Sequence, residues 1–250
     1  MKIITDAFDD SAALFEPKDF YGEQKHLCDK CFIVFSEQIF EYMLETYIHE
    51  EVGAIKCCNG ITSVYVFEIN GMKIAGYLSH IGSAMAGGDV IEVNWITGAS
   101  KFIMFGSAGS LDSEATNGKF VIPTESYRED GLSYNYAVPA DYIEIKNSDV
   151  VKRIFDELKL PSIQGRVWTT DALYRETKAK LKARKAEGCI AVEMELAGVE
   201  SVCDFYGWNV YDFLVTGDVL DQAIYDVSGL ANANHNMDKL YIAIEIAKRI

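Results

Sequence analysis

The chain has 250 residues, 49% of them apolar, and a formal net charge of −15. That length suits one domain, 1–250, with a sizeable core, and the acidic surplus excludes a broad nucleic-acid surface, which needs clustered Lys and Arg to displace counterions. No apolar run approaches the roughly 20 residues of a membrane span, and "MKIITDAFDD" turns acidic too early for a signal peptide, so a cytoplasmic protein without membrane contact is expected.

In chain order, the strand-like run "CFIVF" (31–35) leads into a helical pattern, "SEQIFEYMLETYIHEE" (36–51). Strands "SVYVFEI" (63–69) and "KIAGYLS" (73–79) follow, then a helix over "GGDVIEVNWITG" (87–98) and strands "KFIMFGSAG" (101–109) and "KFVIP" (119–123). A helix is expected at "SDVVKRIFDEL" (148–158), and strands at "RVWTT" (166–170) and "CIAV" (189–192). The helix "EMELAGVESVCDFYG" (193–207), the strand "VYDFLVTGD" (210–218) and the helix "NMDKLYIAIEIAKRI" (236–250) complete the pattern. Strands alternating with helices predict a layered α/β fold with a parallel or mixed sheet. Ligands of such sheets gather at the carboxyl ends of strands. Of the six cysteines, Cys28 and Cys31 form a lone CxxC; with no second pair at matching spacing, free thiols are expected and no metal site.

Four strand ends carry candidate chemistry. Gly106-Ser107-Ala108-Gly109 lets backbone N–H groups approach an anion or a sugar, with the Ser107 hydroxyl beside them. In "AVEMELAGV", Glu195 stands where strand gives way to helix, a position that suits either a helix-start acid or a carboxylate taking both vicinal hydroxyls of a ribose. Met194 beside it offers a soft apolar surface to a sugar face. Asp218, after Gly217, is either a turn residue or a shielded acid able to protonate a leaving group. In "TTDALYRET", Leu173 and Tyr174 either wall a flat base or belong to the core.

The order and spacing of GSAG, "VIPTESYREDGLSYNY", "TTDALYRET", "AVEMELAGV" and "VTGD" resemble the nucleoside phosphorylase family, which also contains the methylthioadenosine and adenosylhomocysteine nucleosidases, over roughly residues 30 to 248. The resemblance implies a three-layer α/β/α sandwich around a mixed, barrel-like sheet, a small-molecule nucleoside substrate, and a homo-oligomer, dimer or hexamer. It further implies that Met194 and Glu195 bind ribose, that Asp218 protonates a purine ring, and that Leu173, Tyr174, Val192 and Glu193 border the base. Gly106 and Ser107 fall on the phosphate or water side. No cofactor is implied beyond phosphate as a possible co-substrate.

Departures from the family pattern concern phosphate. Its arginine clamp is missing: "FIVFSEQIF" replaces the Gly-Asp-Pro-x-x-Arg loop, Met104 or a neighbour replaces the arginine before the glycine loop, and the first 127 residues hold no arginine. Where Pro and Ser are usual in "LSHIGSAMAGGD", the chain has Ala84 and Met85, and His80 and His235 are taken as structural. The nucleosidase branch also lacks those arginines and uses an acid after the first strand to activate water. Glu37 supplies that acid, or else caps a helix behind Ser36. Hydrolysis of a purine-type nucleoside is therefore favoured over phosphorolysis, with a silent nucleoside-binding protein and a pyrimidine-directed enzyme as the rivals.

Overall fold

The structure, a computed structural model, describes residues 5–222 and 224–250. Ten strands form one sheet: β1 (Lys30–Val34), β2 (Ile48–Cys57), β3 (Gly60–Ile69), β4 (Met72–Leu78), β5 (Lys101–Ser110), β6 (Phe120–Glu129), β7 (Tyr142–Glu144), β8 (Ser162–Thr170), β9 (Cys189–Glu193) and β10 (Asn209–Val219). The helices are α1 (Lys18–Tyr21), α2 (Glu37–Thr46), α3 (Ser83–Thr97), α4 (Ser113–Thr116), α5 (Ser133–Tyr136), α6 (Ser148–Glu157), α7 (Lys178–Ala186), α8 (Leu196–Tyr206), α9 (Leu230–Asn234) and α10 (Asp238–Ala247), with a short 3-10 turn at Leu173–Arg175.

Strand β5 holds the sheet together. It runs parallel to β1 and β10 and antiparallel to the end of β9, and the path β10-β6-β8-β9 returns to it. The result is a closed ring of β5, β10, β6, β8 and β9, from which β1, β4, β3 and β2 extend as a wing. Alternation along the inner strands sorts their side chains into two cores. On β1, Cys31 and Ile33 pack toward α3 and α8, while Phe32 and Val34 pack toward α2, α6 and α10. Strands covered by helices on both faces read as unbroken apolar runs, which is why these segments stand out in the sequence. The expected three-layer α/β/α architecture with a mixed, barrel-like sheet is the one found.

The structure corrects the expected helix over 36–51. Helix α2 ends at Thr46, Tyr47 is extended, and Ile48 begins β2, which pairs antiparallel with β3 from Ile48↔Glu68 to Cys57↔Gly60. A sheet edge offering hydrogen bonds to the β-branched stretch outweighs a helical pattern only partly followed there. Helix α7 escaped the apolar pattern because it buries none of its residues. Its Ala- and Lys-rich sequence has helix propensity, and the Thr177 side chain caps it by accepting the Lys180 N–H at 3.3 Å.

Candidate active site

The strand ends meet at a cavity of about 240 Å³. Gly106 to Gly109 of β5, Val192 to Glu195 at the end of β9, Asp218 of β10, and Leu173 and Glu176 after β8 line it, with Phe35 and Ile81 closing the side toward the wing. Of the residues expected to form the site, Gly106, Ser107, Leu173, Val192, Glu193, Met194, Glu195 and Asp218 therefore share one wall-to-wall space. A larger, open groove of about 1000 Å³ lies elsewhere, under residues 9–17; its acids, Asp9, Asp10 and Glu16, are all exposed on that segment and do not converge.

The two glutamates of "VEME" are held differently. Helix α8 begins just after Glu195, and its free N–H groups are taken by Glu193, whose Oε2 accepts from Glu195 N and Leu196 N, each at 2.7 Å. The Thr169 hydroxyl donates to the other oxygen of Glu193. Glu193 is thus the helix-start acid, and that role falls away for Glu195. The Glu195 carboxylate instead crosses to α3, accepting the Gly82 N–H at 2.7 Å on Oε1 and the Met194 N–H at 3.3 Å on Oε2. Gly82 has φ +94, a conformation that favours glycine, and it presents its N–H to the carboxylate directly before α3 starts. Ser83 adds a hydroxyl donated to the Met194 carbonyl at 3.1 Å. Burial pushes both carboxyls above the ordinary range, and the neighbouring Glu195 charge pushes Glu193 further; the backbone donors act in the opposite direction.

Asp218 is aimed by a strand irregularity. Strands β10 and β5 stay in register to Thr216↔Ala108, then shift before Val219↔Ser110, so Gly217 and Asp218 occupy a bulge. The Asp218 Oδ2 accepts the Tyr225 O–H at 2.8 Å, and the side chain is buried at the cavity wall. On the opposite side the Ser107 hydroxyl, expected to face phosphate or water, donates to Asn234 Oδ1.

Two expected residues stay outside the lining. Tyr174 is 97% exposed, because the 3-10 turn that carries Leu173 inward points its neighbour to solvent. Glu37 is exposed in the first turn of α2, where buried Ser36 caps the helix by accepting the Ile39 N–H at 3.3 Å and also contacts His235 Nδ1 at 2.8 Å. Glu176 and Tyr225 join the site unannounced. Each sits in an irregular polar stretch without periodicity; the nearness of Glu176 to "TTD" and of Tyr225 to "VTGD" was the available signal. Burial and then the Asp218 charge push Glu176 up to about 7.

Four carboxylates, Glu176, Glu193, Glu195 and Asp218, line the cavity, and among the described residues no Lys, Arg or His does. A mixed sheet closed into a ring between helical layers, with a hollow carrying four carboxylates at its strand ends, defines an α/β fold with a candidate active site. The chain belongs to the phosphorylase superfamily, whose pattern it matches over residues 30–250. It is 25% identical over 202 residues to the DeoD-type purine nucleoside phosphorylase of Caldanaerobacter subterraneus subsp. tengcongensis, spanning 77% of this chain and 84% of that one. To the same-named protein of a Thermoanaerobacter species it is 24% identical over 218 residues, 83% and 89% of the two chains. Among solved structures, a futalosine hydrolase mutant of Helicobacter pylori superposes with a TM-score of 0.71 at 15% identity, over 90% of this chain and all (100%) of that one. The 5'-methylthioadenosine/S-adenosyl homocysteine nucleosidase of the same organism gives the same TM-score of 0.71, identity of 15% and coverage of 90% and 100%. At that identity these two likenesses speak for the fold.

Proposed function

We infer that the chain cleaves the N-glycosidic bond of a purine-type nucleoside and passes the sugar to water in preference to phosphate. The observation that carries this reading is the cavity lining, in which four carboxylates stand among apolar residues and, among the described residues, no cation does. A phosphate dianion entering it would meet no cation to hold it, whereas the positive charge that develops on the sugar as the bond breaks is favoured by whichever carboxylates are ionised. In this reading Glu195 accepts the ribose hydroxyls. Each of its oxygens takes one backbone N–H and has a lone pair left. Met194 packs against the sugar, and Val192 and Leu173 flank the base. Glu193 holds the start of α8 and so the height of Glu195. Asp218 carries the proton to the departing purine; with Tyr225 donating to Oδ2, Oδ1 is the oxygen left for the base. Water enters along Gly106 and Ser107 and, on bonding to the sugar, gives up the proton that restores Asp218; Glu37, outside the lining, is left without a role.

The relatives named purine nucleoside phosphorylases support the purine and favour phosphate as a second reading of the acceptor; the missing cation weighs against it. A nucleoside panel incubated with and without phosphate separates the two. Free base with ribose, independent of phosphate, is expected. Release that requires phosphate and yields ribose 1-phosphate would reverse the acceptor, and no release from any nucleoside would sink the enzymatic reading. We assign the protein to purine salvage in the cytoplasm, a setting supported by its six unpaired cysteines. We also assign it a homo-oligomeric state, supported by exposed Ile81 at the cavity and Met85 nearby.

A further inference from the structure

We propose that Glu176 selects the base: beside the acid Asp218 on the cavity wall it places a carboxylate that accepts a hydrogen bond from a 6-aminopurine and turns away a 6-oxopurine. The inference rests on the proposed nucleoside cleavage, with Asp218 facing N7 of the base. N7 and the substituent at C6 lie on the same edge of a purine, so the next acceptor along that wall meets whatever C6 carries.

Apart from the Asp218 proton, which is committed to the ring nitrogen, the wall presents acceptors and no spare donor. Tyr225 spends its hydroxyl proton on Asp218. The Ser107 hydroxyl is donated to Asn234. Glu176, half-buried at the end of the 3-10 turn, lines the cavity beside Asp218 and Tyr225, and its carboxylate has no hydrogen-bond or ion-pair partner among the described residues. Lys180, the nearest cation, is committed to Glu129. An amino group at C6 offers an N–H to this carboxylate, whereas a carbonyl oxygen there sets lone pairs against lone pairs and strands both. A site built to receive a donor discriminates strongly against an analogue that lacks it, because the buried acceptor is left unpaired.

The groups whose charge bears on Glu176 are Asp218 of β10, Glu129 of β6, Lys180 of α7 and the Tyr225 hydroxyl. With the Glu176 carboxyl pushed up to about 7, its protonated form at lower pH can donate to a 6-oxo group and its ionised form cannot. Preference for the 6-amino base is therefore expected to rise between pH 6 and pH 8.

The test compares kcat/KM for adenosine and inosine, which share a sugar, in the full-length protein and in Glu176→Gln. Wild type is expected to favour adenosine by about tenfold or more, the worth of one hydrogen bond to a charged group, with the ratio growing with pH. Glu176→Gln, whose amide both donates and accepts, is expected to lose most of that preference and all of its pH dependence. Binding of free adenine and hypoxanthine by calorimetry reads the same selection without turnover. Should wild type cleave neither nucleoside, the reaction assigned above fails. A preference for adenine that the variant loses would still support Glu176. An unchanged preference in the variant, a wild-type preference for the 6-oxo base, or binding of neither base overturns the proposal.

Discussion

Glu195 and Asp218 differ in how they are secured, and the difference sets what each substitution should do. Asp218 has one partner, Tyr225, so Asp218→Asn keeps the shape of the wall while removing the transferable proton. Its kcat on purine nucleosides is expected to fall by about 10²-fold or more with little change in KM, read by steady-state kinetics; unaltered turnover would remove the acid role. Glu37→Gln, exposed and off the lining, is expected to keep near wild-type kinetics in the same assay. A large loss there would restore Glu37 as the group that activates water. Asp212 shows a third circumstance. It is buried on β10 with neither carboxylate oxygen hydrogen-bonded, and burial holds its carboxyl well above the usual range. Asp212→Asn should raise thermal stability more at pH 8 than at pH 5.5; equal shifts at both would show that titration is not the cause.

Elements act through the seam between α3 and α8. A Cβ at Gly198 would lie 2.7 Å from the Ser83 Cβ, so the start of α3 rests directly on α8, and Gly82 is carried to Glu195 by that contact. Gly198→Ala is expected to cost about 1–3 kcal/mol in chemical denaturation through overpacking. It should also raise KM, because the Gly82 N–H moves off the carboxylate; loss of stability with an unaltered KM would uncouple the seam from the site. Thr169 ties β8 to the same corner, donating to Glu193 and accepting the Ala197 N–H at 3.0 Å. Much of this was legible in the sequence as elements and little as contacts. The run "CIAV" followed by the helix-like "ELAGVESV" located the β9–α8 corner, yet whether Glu193 or Glu195 held the helix start depended on a three-residue difference between the expected start, 193, and the observed one, Leu196. Local patterning does not resolve that difference.

The molecule as a whole carries an interior of acids. Glu176, Glu193, Glu195, Glu200, Asp89 and Asp212 all have carboxyls raised chiefly by burial. Each holds its proton more tightly folded than unfolded, so its contribution to stability is complete below the unfolded value, around 4. That contribution is lost as pH rises through the folded values, about 7 for Glu176 and about 8 for Glu200. The midpoint of thermal unfolding is accordingly expected to fall between pH 5.5 and pH 8, where the net charge of −15 adds repulsion of the same sign. A flat or rising midpoint would mean these carboxyls are not shifted as described. Lys239, buried and lowered to about 8 by desolvation, acts oppositely: folding excludes its proton, so stability returns as pH climbs above 8.

Composition and periodicity by themselves determined the alternation of strands and helices, the two-sided apolar strands and the strand ends where chemistry would gather, because those features are written in neighbours a few residues apart. The motif order also placed the chain in its family. Only the tertiary structure decided which acids share a cavity. The ring closure of β5 on β9 and β10 brings Glu195 and Asp218 to one space, turns Glu37 and Tyr174 to solvent, and delivers Glu176 and Tyr225 from segments with no pattern of their own. The physical reason is that side-chain direction across long chain separations depends on strand register and helix seating, which no local spacing encodes.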